Sequence, residues 1–107
     1  MPLPIHRWDK PGEPAQKVLL EKELKAQGYR TELWVDKPGT VYRNRKNDAD
    51  GLIWILRGEA EVTLGDESDI LKDGDRIALP PETTYTLQAL GEKPLLWLFA
   101  LKKKKNR

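Results

Sequence analysis

With 107 residues the chain has room for one modest core and no second domain. Apolar residues are 38% and charged residues 34% of it, a polar balance. Four Trp, three Tyr and one Phe are nonetheless too many aromatics for a disordered segment, and the longest apolar run, residues 95–101, is far too short to span a bilayer. The net charge is a modest +2, and the lack of cysteine removes disulfides, thiolate nucleophiles and zinc–thiolate sites together, which suits a cytoplasmic setting.

Residues 1–12 are rich in Pro, Gly and charge and read as an extended arm, without the long apolar stretch of a secretory signal. Residues 13–27 read as a helix. Pro14 suits a first helical turn, Glu13 favours the positive end of the helix dipole, and Gly28 stands where a C-terminal cap belongs. Val18, Leu19, Leu20 and Leu24 supply a broad apolar side. Glu21 and Lys25 are spaced for an i,i+4 pair.

After Gly28 short strand-like runs alternate with turn residues, the pattern of an all-β barrel or sandwich. The strands are expected at residues 29–35, 40–43, 52–56, 59–64, 76–79, 84–90 and 95–101, with Pro38-Gly39, Gly58, Gly65-Asp66, Asp73-Gly74, Pro80-Pro81 and Gly91 among the turns between them. Ala60, Val62 and Leu64 alternate with Glu59, Glu61 and Thr63. Tyr85, Leu87 and Ala89 alternate with Thr84, Thr86 and Gln88. Each of these strands should have one dry and one wet face. Runs 52–56 and 95–101 are apolar on both faces. The helix can cover one such patch and a second subunit the other, so a homodimer is expected; in the alternative, helix and arm suffice in a monomer.

The chain divides on this reading into an arm and helix (1–28), a barrel (29–101) and a basic tail (102–107). Lys102, Lys103, Lys104, Lys105 and Arg107 carry five of the 19 basic charges; without them 14 remain against 17 acidic ones, a body charge of −3. A solvated tail is the plain reading, and a polyanion-binding module the sharper one. The tail has no interleaved aromatics and the body no evident basic face, so nucleic acid is not an expected partner.

Three segments together resemble the small single-domain cupins. They are Pro38-Gly39-Thr40-Val41-Tyr42, the run from Leu52 through Arg57-Gly58 to Val62, and the run from Leu71 through Asp73-Gly74-Asp75 to Pro80-Pro81. The first cupin motif, G-x5-H-x-H-x3,4-E-x6-G, fits from Gly39 to Gly58 without insertion. The second, G-x5-P-x-G-x2-H-x3-N, fits from Gly74 through Pro80. The resemblance implies an all-β cupin double-stranded β-helix, or jelly-roll barrel, with one N-terminal α-helix added.

In metal-binding cupins these motifs supply two histidines, a glutamate and a third histidine. Here those positions hold Arg45, Asn47, Gly51 and Tyr85; the second motif's glycine is Glu82 and its asparagine Ala89. A guanidinium repels a cation, glycine brings no side chain, and a neutral phenol is a poor ligand, so no metal cofactor is expected. Asp48 and Asp50 share a turn and could reach a cation, but such aspartates ordinarily serve as turn formers.

If the frame holds, Arg45, Asn47 and Tyr85 point into the barrel mouth, and strand alternation puts Arg43 on the side of Arg45. Val41, Ile53, Ile55 and Leu87 would line the hollow, with Trp97 a further candidate, and Glu82 is the nearest carboxylate. Guanidinium, amide and phenol over apolar walls suit a small polar or anionic organic ligand. Each also admits a structural role: Arg45 in solvent or paired with Asp48 or Asp50, Asn47 in a turn, Tyr85 as core. A metal-independent isomerase, epimerase or lyase acting on a sugar or small acid is the alternative function. Tyr85 could be its acid, but the only histidine, His6, lies in the arm, away from either motif.

Overall fold

The computed structural model describes residues 3–10 and 12–103. Two antiparallel sheets face each other. The five-stranded sheet runs in the order β1 (Ile5–His6), β7 (Arg76–Leu79), β4 (Gly51–Arg57), β9 (Leu95–Lys102), β2 (Tyr29–Asp36). The four-stranded sheet runs β3 (Val41–Arg45), β8 (Tyr85–Leu90), β5 (Glu59–Leu64), β6 (Glu67–Leu71). One helix, α1 (Lys17–Ala26), lies outside the barrel. All seven expected strands are present within two residues of their expected bounds. Two were missed: β6 carries few apolar residues, and β1 is only two residues long.

Alternation decides what lies between the sheets. Ala60, Val62, Tyr85, Leu87 and Ala89 are buried in one cluster with Ile53, Ile55, Leu71, Ile77 and Leu79, while Thr86 and Gln88 face outward. The doubly apolar strands β4 and β9 belong to two cores at once. Ile53, Ile55, Leu95 and Trp97 face the barrel interior; Trp54, Leu56, Leu98 and Ala100 face outward beneath Leu20 and Leu24 of α1 and beside Trp8 of the arm. Helix and arm therefore cover this outer face within one chain. The exposed large apolar side chains lie elsewhere, at Val18 and Leu19 on α1, at Leu33, Trp34 and Val35 on β2 and at Ile70 on β6.

The helix starts later than its sequence suggests. Gln16, not Glu13, is the N-cap, and it is extended with no side-chain cap. Residues 13–15 are held by tertiary contacts instead: the Glu13 carbonyl accepts the Trp8 indole N–H at 2.8 Å, and Ala15 is buried in the outer core. Glu21 pairs back to Lys17 at 2.9 Å rather than forward to Lys25. Gly28 ends the helix as expected, with φ +91° and its N–H on the Lys25 carbonyl.

The arm is latched at the Gly74-Asp75 turn. The buried Asp75 carboxylate accepts the Trp8 backbone N–H (2.9 Å), the Lys72 N–H (2.9 Å) and the Arg7 guanidinium (3.0 Å). The Trp8 ring lies so close to Gly74 that any Cβ there would collide with it. Gly74→Ala adds this clash to an unfavourable φ of +86° and should cost about 3 kcal/mol in urea unfolding. Gly39→Ala has a similar φ, +90°, but no neighbour within 4 Å, and should cost about 1 kcal/mol. Equal costs would mean that the arm does not rest on Gly74.

Candidate functional site

A cavity of about 260 Å³ opens where the two edge strands β2 and β3 approach each other. It is lined by Glu32 and Trp34 of β2, Tyr42 and Arg45 of β3, Lys46 and Asn47 beyond it, Tyr85 of β8, and Trp97 and Phe99 of β9. Register brings these together: Trp34 pairs with Trp97, Glu32 with Phe99, and Arg45 with Tyr85.

Arg45, Asn47 and Tyr85 thus share one cavity, as the motif frame anticipated, and Trp97 joins them. Arg43 does not. The register shifts between Tyr42 and Arg45, and Asn44 takes φ +51°, a left-handed conformation that asparagine tolerates. This bulge resets the alternation, so Tyr42 rather than Arg43 shares the side of Arg45. Val41 likewise lies outside the cavity, while Ile53, Ile55 and Leu87 are fully buried core behind it. Glu82 does not line the cavity either; it is exposed, its carboxylate lies 3.4 Å from the Lys46 ammonium, and its backbone N–H donates to the Asn47 carbonyl at 2.7 Å. Its φ of +61° is the conformation the motif's glycine would adopt without strain.

The residues missed are mostly aromatic. Trp34 stacks on Trp97 with centroids 6.0 Å apart, and Tyr42 meets both rings edge-on at 5.8 and 6.1 Å. Phe99 extends the set at 6.1 Å from Trp97. Buried Asp36 organises them: one carboxylate oxygen accepts the Tyr42 hydroxyl at 2.6 Å and the other the Trp97 indole N–H at 2.7 Å. The Asp36 link has no local sequence signal, because its partners are 6 and 61 residues away.

Electrostatics keep both phenols protonated. Burial, then the hydrogen bond to Asp36 and its negative charge, push Tyr42 up to about 12, against the opposing pull of Arg45. Burial also raises Tyr85, against the opposing pull of the Asn47 amide and of Arg45. The amide does not complete a well-formed hydrogen bond to that hydroxyl: Asn47 Nδ2 is buried without a partner. The Arg45 guanidinium lies over the Tyr42 ring, 5.7 Å from its centroid.

The family model for the Cupin domain matches residues 32–101. The chain belongs to the cupin family. Solved structures similar to it include a cupin 2 domain-containing protein from Halorhodospira halophila, with 20% identity over 96% of this chain and 77% of that one and a TM-score of 0.72. A conserved protein of unknown function from Streptococcus pyogenes shows 21% identity over 75% of this chain and 68% of that one, with a TM-score of 0.66. The DMSP lyase DddQ from Ruegeria pomeroyi shows 20% identity over 75% of this chain and 41% of that one, with a TM-score of 0.65. At these identities the likeness shows the fold alone. No curated protein is significantly similar to the chain.

The metal site of metal-binding cupins does not fit this cupin's residues. No group of three His, Cys, Asp or Glu side chains that could hold an ion occurs among the described residues. Gly51 is buried, and a Cβ there would already meet the Ala100 carbonyl at 3.4 Å, Leu79 at 3.5 Å and Asn47 Nδ2 at 3.6 Å. The amide therefore occupies the space beside the glutamate position. Asp36 is the buried carboxylate nearest the cavity's rings, and both its oxygens are engaged.

A proton held more tightly by Tyr42 in the folded chain than in the unfolded one stabilises the fold fully below pH 10. That contribution is lost as pH rises to about 12. Tyr42→Phe removes this titration, so its melting temperature should fall less steeply from pH 10 to about 12 than that of the unaltered protein. Equally steep falls would contradict the assignment.

Proposed function

We propose that this cupin binds a small polar or anionic organic molecule at the barrel mouth, without a metal ion. The observation that carries the reading is the convergence of Arg45, Asn47 and Tyr85 on one cavity, with the Asn47 amide nitrogen buried and lacking a partner. An unpartnered buried donor is costly, about 1–3 kcal/mol, and a ligand oxygen would relieve it. A metal-independent isomerase, epimerase or lyase would need a base poised near neutrality. Both phenols hold their protons above the usual tyrosine range, and His6 lies on β1, outside this cavity, so binding is the preferred reading. The polyanion-binding alternative rests largely on Lys104, Lys105 and Arg107, which lie outside the described residues.

A fragment screen by protein-observed NMR tests the binding reading. Hits should be anionic or polar, should shift the Trp34 or Trp97 indole N–H signals, and should bind Arg45→Ala about ten- to a hundredfold more weakly. Hits that move neither indole, or that bind the variant equally well, would contradict it.

A second reading concerns assembly. β2 is an eight-residue edge strand bearing three consecutive exposed apolar side chains, Leu33, Trp34 and Val35. Such an edge ordinarily needs a cover, and a second copy pairing along β2 would supply one. Light scattering should then report a dimer, and Val35→Glu a monomer. A monomeric unaltered protein at high micromolar concentration would end this reading.

A further inference from the structure

We propose that the ligand is a small aromatic carboxylate, its ring against Trp34, Tyr42, Trp97 and Phe99 and its carboxylate on Arg45. The proposal rests on the reading of this cavity as a binding site and adds the chemical class.

Three observations converge on it. The first is the wall. Four rings lie with neighbouring centroids 5.8–6.1 Å apart, and the polar edges of Tyr42 and Trp97 are already engaged by Asp36. Two of the four rings thus leave carbon surface as their free recognition chemistry. Flat rings gain there from stacked and edge-on contacts.

The second is the imbalance of donors and acceptors. Arg45, Lys46, the Asn47 amide nitrogen and the protonated Tyr85 hydroxyl are all donors facing one cavity. The one carboxylate in its lining, Glu32, is exposed, as are Arg45 and Lys46, and Lys46 lies 3.4 Å from Glu82 outside the cavity, which leaves Arg45 as the lining cation outside that ion pair. A site rich in donors and cations wants a ligand that brings acceptors and negative charge. The guanidinium fork matches a carboxylate's two oxygens, and the buried Asn47 nitrogen gains its missing acceptor.

The third is size. A cavity of about 260 Å³ lies just below the range usual for drug-sized ligands, while benzene fits in roughly 150 Å³. One ring with a short acidic substituent fits within that volume.

The same features weigh against two other ligand classes. Aromatic walls attract quaternary ammonium ions, but Arg45 already covers the Tyr42 face and would repel a second cation. A neutral sugar also stacks on aromatic rings, yet it brings no negative charge for Arg45 and Lys46.

Isothermal titration of the full chain with five probes decides the matter: benzoate, acetate, benzyl alcohol, benzyltrimethylammonium and glucuronate. Benzoate should bind at least about tenfold more tightly than each of the others. Arg45→Ala should weaken benzoate about ten- to a hundredfold, while Arg43→Ala, on the same strand but outside the cavity, should leave it unchanged. Tighter binding of benzyltrimethylammonium or glucuronate overturns the aromatic-carboxylate class and leaves the binding site standing. Acetate binding as well as benzoate overturns the role of the rings. If no probe binds, and none shifts the Trp34 or Trp97 indole signals, both this proposal and the reading beneath it fail.

Discussion

Asp36 closes the barrel where the cavity lies. It sits at the end of β2 in the five-stranded sheet and accepts one hydrogen bond from Trp97 of the same sheet and one from Tyr42 of the opposite sheet. A buried carboxylate is costly unless its oxygens are satisfied, and here each oxygen has a short, charge-assisted partner. The same two bonds fix the tilt of both rings, and Trp34 and Phe99 pack against them. Cavity shape and sheet-to-sheet closure therefore depend on one side chain. Replacing it by an apolar residue would orphan a phenol and an indole N–H as well as removing the charge.

A second buried aspartate does a matching task at the other end of the sheet order. Asp75 ties Arg7 and Trp8 to the β6–β7 turn, so the arm is held by hydrogen bonds rather than by its two-residue strand. Trp8 then rests on Gly74 and joins α1 over the outer face of β4 and β9. The inner core and the outer core share those two strands, so the helix is part of the folding unit.

The positions that carry metal ligands in other cupins keep their place in the fold but not their chemistry. Arg45 and Tyr85 remain cross-strand partners, and Asn47 lies beside them in the same cavity. Glu82, at the motif's glycine position, takes a left-handed backbone that a glycine would adopt without strain. What changes is the sign of the site: carboxylate and imidazole, which suit a cation, give way to guanidinium and amide, which suit an oxygen anion. The frame thus survives with a guanidinium, an amide and a phenol at the positions that hold cation ligands elsewhere in the family.

Much of this was legible in the residues themselves. Glycine-anchored spacing named the fold, and strict alternation in β5 and β8 named the dry faces, because both signals are local. The same spacing brought Arg45, Asn47 and Tyr85 together. The helix start, the role of Tyr42 in place of Arg43, and the aromatic wall were decided only by the tertiary structure. Docking of Trp8 and Ala15 outweighed the helix-starting preference of Pro14 and Glu13. A single bulge at Asn44 inverted the facing of β3, which no period-two reading anticipates. Trp34 met Trp97, and Asp36 met both Tyr42 and Trp97, through pairing between strands distant in the chain. Periodicity says which side of a strand is dry; only the register between strands says which side chains meet there.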